Sequence, residues 1–205
     1  ALDVINQESR RLERIVGDML SVSEIEAGSF KLRSGDVRLE NLFEDLRSEY
    51  EAQAKDKNLA LTLTLPPKLP VIQGDRDKIV LALHNLIGNA LKYTPDGGKV
   101  DVKVDANEQR LQVDVSDSGI GIAPEETELI FDKFYRAKDK RVASITGTGL
   151  GLALAREVIG TLAVDLDRGK GRRRLQDLAE EARQQRLDRS AGRAQVAALD
   201  DLALG

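Results

Sequence analysis

Apolar residues over the first 27 positions fall at spacings of three, four and seven: Leu2, Ile5, Leu12, Ile15, Val16, Met19, Leu20 and Ile25, with Glu, Arg and Asp between them. This pattern predicts one long amphipathic helix. Its stripe at Ile5, Leu12 and Met19 repeats close to a heptad, so the helix is expected to pack on another helix rather than on a sheet. Gly28 stands where a C-cap belongs, and a polar stretch to Asp36 marks a domain boundary. A second helix is predicted over 39–57, with Leu42, Phe43, Leu46 and Tyr50 on its apolar side. Residues 59–65 alternate as a half-buried strand that Pro66, Pro67 and Pro70 bring to an end. Asp75 is a candidate N-cap for a helix through Ile79, Leu83, Leu86, Ile87, Ala90 and Leu91, closed by Pro95-Asp96-Gly97-Gly98. Residues 100–104 and 111–115 alternate with period two about a polar turn and predict a hairpin. A short helix over 125–134, a polar glycine-containing loop over 137–149 and a helix over 150–159 complete an α+β, two-layer α/β sandwich. Residues 161–167 read as one further strand. From Arg172 onward Lys, Ile, Phe and Tyr give way to Arg, Ala, Leu, Gln and Asp, which predicts an atypical helical or disordered tail.

Composition narrows the chemistry. Among 205 residues, 31 basic against 35 acidic side chains leave a net charge of -4, without the basic footprint of a nucleic-acid binder. There is no Cys and a single His, which removes disulfides, thiol catalysis and multi-histidine metal sites; a metal here is expected to be bound by oxygen. No run of about 18 apolar residues occurs, and charges are spread through the first twenty positions, so neither a spanning helix nor a secretory signal is expected.

Three strings carry candidate chemistry. In Asp117-Ser118-Gly119-Ile120-Gly121 a carboxylate emerges at the end of a strand beside two glycines. That carboxylate can accept from an amino group while Gly119 and Gly121 let a flat ring approach the main chain. A buried turn with a capping Asp explains the string equally well. On the predicted helix, Asn85, Asn89 and Lys92 recur at i, i+4 and i+7, so one face presents two amides and an ammonium. Solvation alone would account for such a face, although two Asn inside a helix cost propensity. An amide oxygen suits Mg²⁺ and a lysine suits phosphate. Third, Gly147-Thr148-Gly149-Leu150-Gly151 opens a helix after a polar loop, which fits either a flexible linker or main-chain N–H groups gathered about an anion. The Gly-Lys-Ser/Thr ending of a Walker loop is absent.

Taken in chain order, Asn85 to Lys92, Asp117 to Gly121 and Gly147 to Gly151, with Phe131-Asp132-Lys133-Phe134-Tyr135-Arg136 between the last two, the strings resemble the ATP-binding domain of sensor histidine kinases. That family shares the Bergerat, or GHKL, fold with gyrase, the MutL mismatch-repair proteins and the ninety-kilodalton heat-shock chaperones. The resemblance implies ATP and Mg²⁺ as ligands. It makes Asn89 the Mg²⁺ ligand, puts Asn85 and Lys92 near the phosphates and lays Tyr93 alongside the nucleotide. Asp117 would accept from the adenine amino group, and Gly119 and Gly121 would admit the ring. Phe131 and Phe134 would anchor a lid, Arg136 would reach the phosphates, and Gly147, Thr148, Gly149, Leu150 and Gly151 would wrap the triphosphate. Gyrase-type ATPases carry a glutamate at the position of Asn85; an amide cannot act as that base, so phosphoryl transfer is expected over hydrolysis.

Residues 1–28 resemble the second helix of the kinase dimerisation hairpin, 29–38 would be a linker, 39–171 the ATP-binding catalytic domain and 172–205 the tail. The resemblance implies a homodimer through 1–28, a histidine-bearing dimerisation domain and a response regulator receiver domain as partners, and a cytoplasmic location, alone or as part of a membrane-bound sensor. The family's phosphate-accepting histidine string is not found here. No catalytic residue is assigned, and His84 is not expected to accept phosphate. The accepting histidine is therefore expected outside these residues, with a non-catalytic ATP-binding and dimerising regulator as the alternative.

Overall fold

The computed structural model describes residues 2–107, 110–170 and 196–198. The long first helix is α1 (Leu2–Glu26). Gly28, with φ of 64°, ends it: its N–H donates to Ile25 O at 3.1 Å and the Ser29 N–H to Glu24 O at 2.9 Å. That pair of bonds satisfies two orphan carbonyls and needs left-handed backbone, which glycine adopts without a steric penalty. Next come β1 (Gly35–Arg38), α2 (Leu39–Asp56), β2 (Ala60–Thr64), β3 (Val71–Gly74) and α3 (Arg76–Tyr93). The hairpin is β4 (Lys99–Asn107) and β5 (Arg110–Asp117). A single turn, α4 (Lys140–Ala143), lies in the glycine-containing loop, before α5 (Gly151–Lys170) and β6 (Val196–Ala198).

One sheet has the order β2-β4-β5-β6, with β2 parallel to β4 and the other pairs antiparallel; a second sheet pairs β1 with β3. Val100, Val102 and Val104 on β4 and Leu111, Val113 and Val115 on β5 share one core cluster with Phe43 and Leu46 of α2, Ile79, Leu83 and Ile87 of α3, and Val158 of α5. Asp101, Lys103 and Asp105, the intervening positions on β4, face solvent. This period-two division puts helices on one face of the sheet, the two-layer arrangement that the sequence predicts. Each fully buried Leu, Ile or Phe contributes about 1.5–3 kcal/mol. Asp75 caps α3 as expected: Oδ1 accepts from the N–H groups of Asp77 and Lys78, both at 3.1 Å, while Oδ2 accepts from Arg33 N–H at 2.8 Å.

Three expectations are corrected. The stretch 29–38 is not a plain linker, because β1 lies in it and pairs Val37 with Ile72 of β3. Strands of four residues with one fully inward side chain each offer no alternation to read. The helix expected over 125–134 is replaced by two 3-10 turns, Pro124–Glu126 and Leu129–Phe131. Glu126 is bonded both to Tyr135 and to Lys138, and a straight helix would hold Glu126 and Tyr135 about 13 Å apart. The strand expected over 161–167 is the continuation of α5, in which Thr161 Oγ1 donates to Glu157 O at 2.8 Å. Extending an existing helix adds one bond per residue, which outweighs a short alternation of Leu and Val. Most of 172–205 lies outside the described residues; within it, Val196–Ala198 pairs with 113–115 of β5.

Along α1, Leu12, Val16, Met19 and Leu20 are exposed, whereas Val22 and Ile25 pack on Leu150 and Leu154. Glu26 pairs with Lys133 at 2.8 Å and Glu24 with Lys78 at 3.6 Å. Among the described residues, no helix is long and apolar enough to cross a membrane.

Candidate functional site

Helix α3 divides cleanly. Ile79, Leu83, Ile87, Ala90 and Leu91 enter the core, which leaves Asn85, Asn89 and Lys92 half-buried on another face. Asn85 Nδ2 donates to Leu81 O at 3.0 Å, so its amide oxygen is turned away from the helix backbone. The Asn89 amide makes no hydrogen bond to any described residue. Burial pushes the Tyr93 phenol above its ordinary range, and the positive charge of Arg136 opposes that rise.

Glycines bring the other strings onto this face. A β-carbon added at Gly151 would stand 2.5 Å from Asn85 Oδ1, and one at Gly147 would stand 2.6 Å from Lys92 Nζ and 3.8 Å from the Tyr93 hydroxyl. At Gly119 it would meet Asp117 Oδ1 at 2.5 Å and Tyr93 O at 2.7 Å. Gly119 N–H donates to Asp117 Oδ1 at 2.8 Å and Ile120 N–H to Tyr93 O at 3.2 Å. Four glycine-permitted approaches, with Gly149 against the Phe134 and Tyr135 backbone, therefore gather residues far apart in sequence. Gly121 differs: its φ of 72° calls for glycine, yet the space beside it is open.

Polar side chains hold the lid segment, 137–149. Arg136 Nη2 donates to Val142 O at 2.7 Å and to Ile145 O, while its Nε is buried without a partner. Two of the five donors of this guanidinium, those on Nη2, thus go to carbonyls of 137–149. Phe134, expected to anchor the lid, leaves its residue surface 62% exposed; its N–H donates to Gly149 O at 3.0 Å, so its backbone makes the attachment. Phe131 lies under Arg156, 5.4 Å from ring centre to guanidinium. Leu150 is fully buried beside Val22 and Leu154, and its N–H donates to Thr148 Oγ1 at 3.3 Å.

Sequence reasoning missed Glu126, Asp139 and Arg141. Glu126 is 8% exposed; the Lys138 N–H at 2.9 Å and the Tyr135 hydroxyl at 2.7 Å hold its carboxyl below the usual range. The Arg141 side chain and N–H bring Asp139 down to about 2, and Arg141 Nη2 also donates to Ile120 O at 3.3 Å. Only the acidic and basic character of this stretch hinted at such ties. His84 lies on the α2 side of α3: Nδ1 is 2.6 Å from the Tyr50 hydroxyl and Nε2 is 3.7 Å from Glu49. Two surface hollows, about 210 and 550 Å³, are lined by other residues, including Pro66 and Pro67 in one and Lys55 and Asn58 in the other.

A mixed sheet covered by helices, with amides, an acid and a glycine-rich lid converging at one end of α3, defines a nucleotide-binding domain. The chain belongs to the histidine kinase-, DNA gyrase B-, and HSP90-like ATPase family (HATPase_c), whose profile matches residues 74–182. It is similar to sensor histidine kinase WalK of Bacillus subtilis (strain 168), 34% identical over 176 residues that take in 83% of this chain and 29% of WalK. Among solved structures it resembles full-length ShkA in complex with AMPPNP, with TM-score 0.63 and 27% identity over 74% of this chain and 31% of that one. It also resembles histidine kinase ThkA in complex with response regulator protein TrrA, with TM-score 0.54 and 25% identity over 76% of this chain and 42% of ThkA. The ATP-binding fold is thus that of histidine kinase catalytic domains, and the chain spans under a third of WalK's length.

Proposed function

We propose that this chain is the ATP-binding catalytic portion of a two-component sensor histidine kinase. It binds Mg-ATP and passes the γ-phosphoryl to a histidine outside these residues, for onward transfer to a response regulator. The bond from γ-phosphorus to its bridging oxygen breaks, a bond to an imidazole nitrogen forms, and ADP leaves. The meeting of the three strings on α3, with Gly119 at Tyr93, Gly147 at Lys92 and Gly151 at Asn85, carries this reading.

With Asp117 Oδ1 taken by Gly119, the second carboxylate oxygen is left to accept from the adenine amino group. Lys92 supplies positive charge for the phosphates, and Tyr93 stays a neutral phenol beside the nucleotide. Asn89 fits a Mg²⁺ ligand: its unbonded amide is half-buried one turn beyond Asn85, and a hard cation takes oxygen donors. When bound, Mg²⁺ neutralises phosphate charge. Asn85 offers an amide with no carboxylate to take a proton from water, which favours transfer over hydrolysis. Since His84 is engaged by Tyr50, the accepting imidazole belongs elsewhere. The exposed stripe of α1 suits pairing with a second copy in a helical bundle. The ThkA–TrrA complex supports a receiver domain as partner, and a cytoplasmic site of action follows from the same reading.

Calorimetry with ATP tests the pocket. Asp117→Asn is expected to weaken binding by about tenfold or more while circular dichroism shows an intact fold. A folded wild-type chain that gives no ATP binding would overturn the assignment. Addition of a histidine-bearing hairpin and ATP labelled at the γ-phosphorus should label the histidine; binding without transfer would favour the non-catalytic regulator.

A further inference from the structure

Helix α3 ends without a glycine. Thr94 turns to φ -87° and ψ 126°, and Pro95 follows, so the left-handed closure used at Gly28 is not available here. The carbonyls of the last turn must find donors elsewhere. Ala90 O takes the Thr94 N–H at 3.2 Å and its hydroxyl at 2.6 Å. Tyr93 O takes the Ile120 N–H at 3.2 Å. The two between them share one ammonium: Lys57 Nζ donates to Leu91 O at 2.7 Å and Lys92 O at 3.0 Å, and it also lies 3.5 Å from Thr94 O. Every carbonyl from Ala90 to Thr94 is therefore accounted for.

Lys57 is itself the C-cap of α2, so its side chain ties the end of one helix to the end of another. The three donors of an ammonium match three carbonyls, and its charge complements the negative end of the α3 dipole. Water can satisfy such carbonyls but cannot fix the turn against α2. The turn so held bears Lys92 and Tyr93, which face Gly147, and it presents Tyr93 O to Gly119 and Ile120.

We propose that Lys57 is a positioning residue for the nucleotide site, acting through the last turn of α3 to set Lys92, Tyr93 and the loop 117–121 in their places. This inference rests on the nucleotide site proposed above. Lys57→Met keeps the aliphatic stem and removes the donors; Lys57→Arg keeps donors and charge; Leu46→Ala damages the core under α2 as a control for stability alone.

At a temperature where circular dichroism shows the 205-residue chain and all its variants folded, Lys57→Met should weaken ATP binding by about three- to tenfold. Lys57→Arg should recover most of that loss, and Leu46→Ala should leave affinity unchanged. Amide exchange in Lys57→Met should quicken at Thr94 and Ile120 ahead of the rest of α3. Wild-type affinity in Lys57→Met, no recovery with arginine, or an equal loss in Leu46→Ala would overturn the proposal. Should the wild-type chain bind no ATP, the functional reading fails by itself, and exchange still decides the positioning: unchanged or uniformly quickened exchange rejects it.

Discussion

Helix α3 and the loop 137–149, floor and lid of the proposed nucleotide site, are held by different forces. The floor, α3, is anchored by Ile79, Leu83, Ile87, Ala90 and Leu91, all in the main core. Across the lid, residues 137–149, Val142 is the buried apolar side chain among the described residues. The rest of its attachment is polar: Arg136 on two carbonyls, Arg141 on Asp139 and Ile120 O, and Glu126 on Lys138 N–H. Apolar burial is non-directional and indifferent to protonation, whereas these bonds depend on geometry and charge. For the nucleotide site proposed above, this division would let α3 stand while 137–149 opens.

The comparison can be broken, most forcefully at Ile87. Ile87→Ala removes a fully buried side chain from the floor and is expected to cost about 2–5 kcal/mol in denaturant unfolding; a loss under about 1 kcal/mol would mean that burial does not hold the floor. Next in size is Gly149→Ala, where φ is 75° and the new β-carbon meets the Phe134 carbonyl carbon at 2.6 Å. Fixed backbone cannot yield cheaply, so about 1–3 kcal/mol and an unseated lid are expected, read by thermal unfolding and amide exchange over 134–149. Gly147→Ala sharpens the point, because the atoms nearest its β-carbon belong to the movable Lys92 and Tyr93 side chains. Stability should fall by less than about 1 kcal/mol while ATP affinity drops, since Lys92 must be displaced.

The smallest effect is that of acid. Glu126 and Asp139 both have lowered folded values, so their contribution is complete above the usual carboxylate range near about pH 4 and is lost as pH falls through those values, about 2 for Asp139. Protection of the Lys138 and Arg141 amides should decline as pH drops from about 5 toward about 2, before that of α3. Glu126→Gln should blunt the response at Lys138. Equal acid sensitivity in α3 and the lid would remove the distinction.

What the residue order determined by itself is what repeats locally. The periodicity of α2 and α3, the Asp75 cap, Gly28 at the end of α1 and the β4–β5 hairpin depend on neighbours a few positions away, and the structure reproduces them. The three chemical strings are local too, so their residues were readable before their meeting was. Tertiary structure alone decided the pairings across distance: Val37 with Ile72, Glu126 with Lys138, Arg136 with Ile145 and Lys57 with Leu91. It also bent 125–134 into two turns, whereas 161–167 became helix by local propagation of α5. Periodicity tells which face of an element is apolar, but not which distant carbonyl a charged side chain will meet. That choice is made only when the apolar faces have closed and the remaining polar groups must find partners.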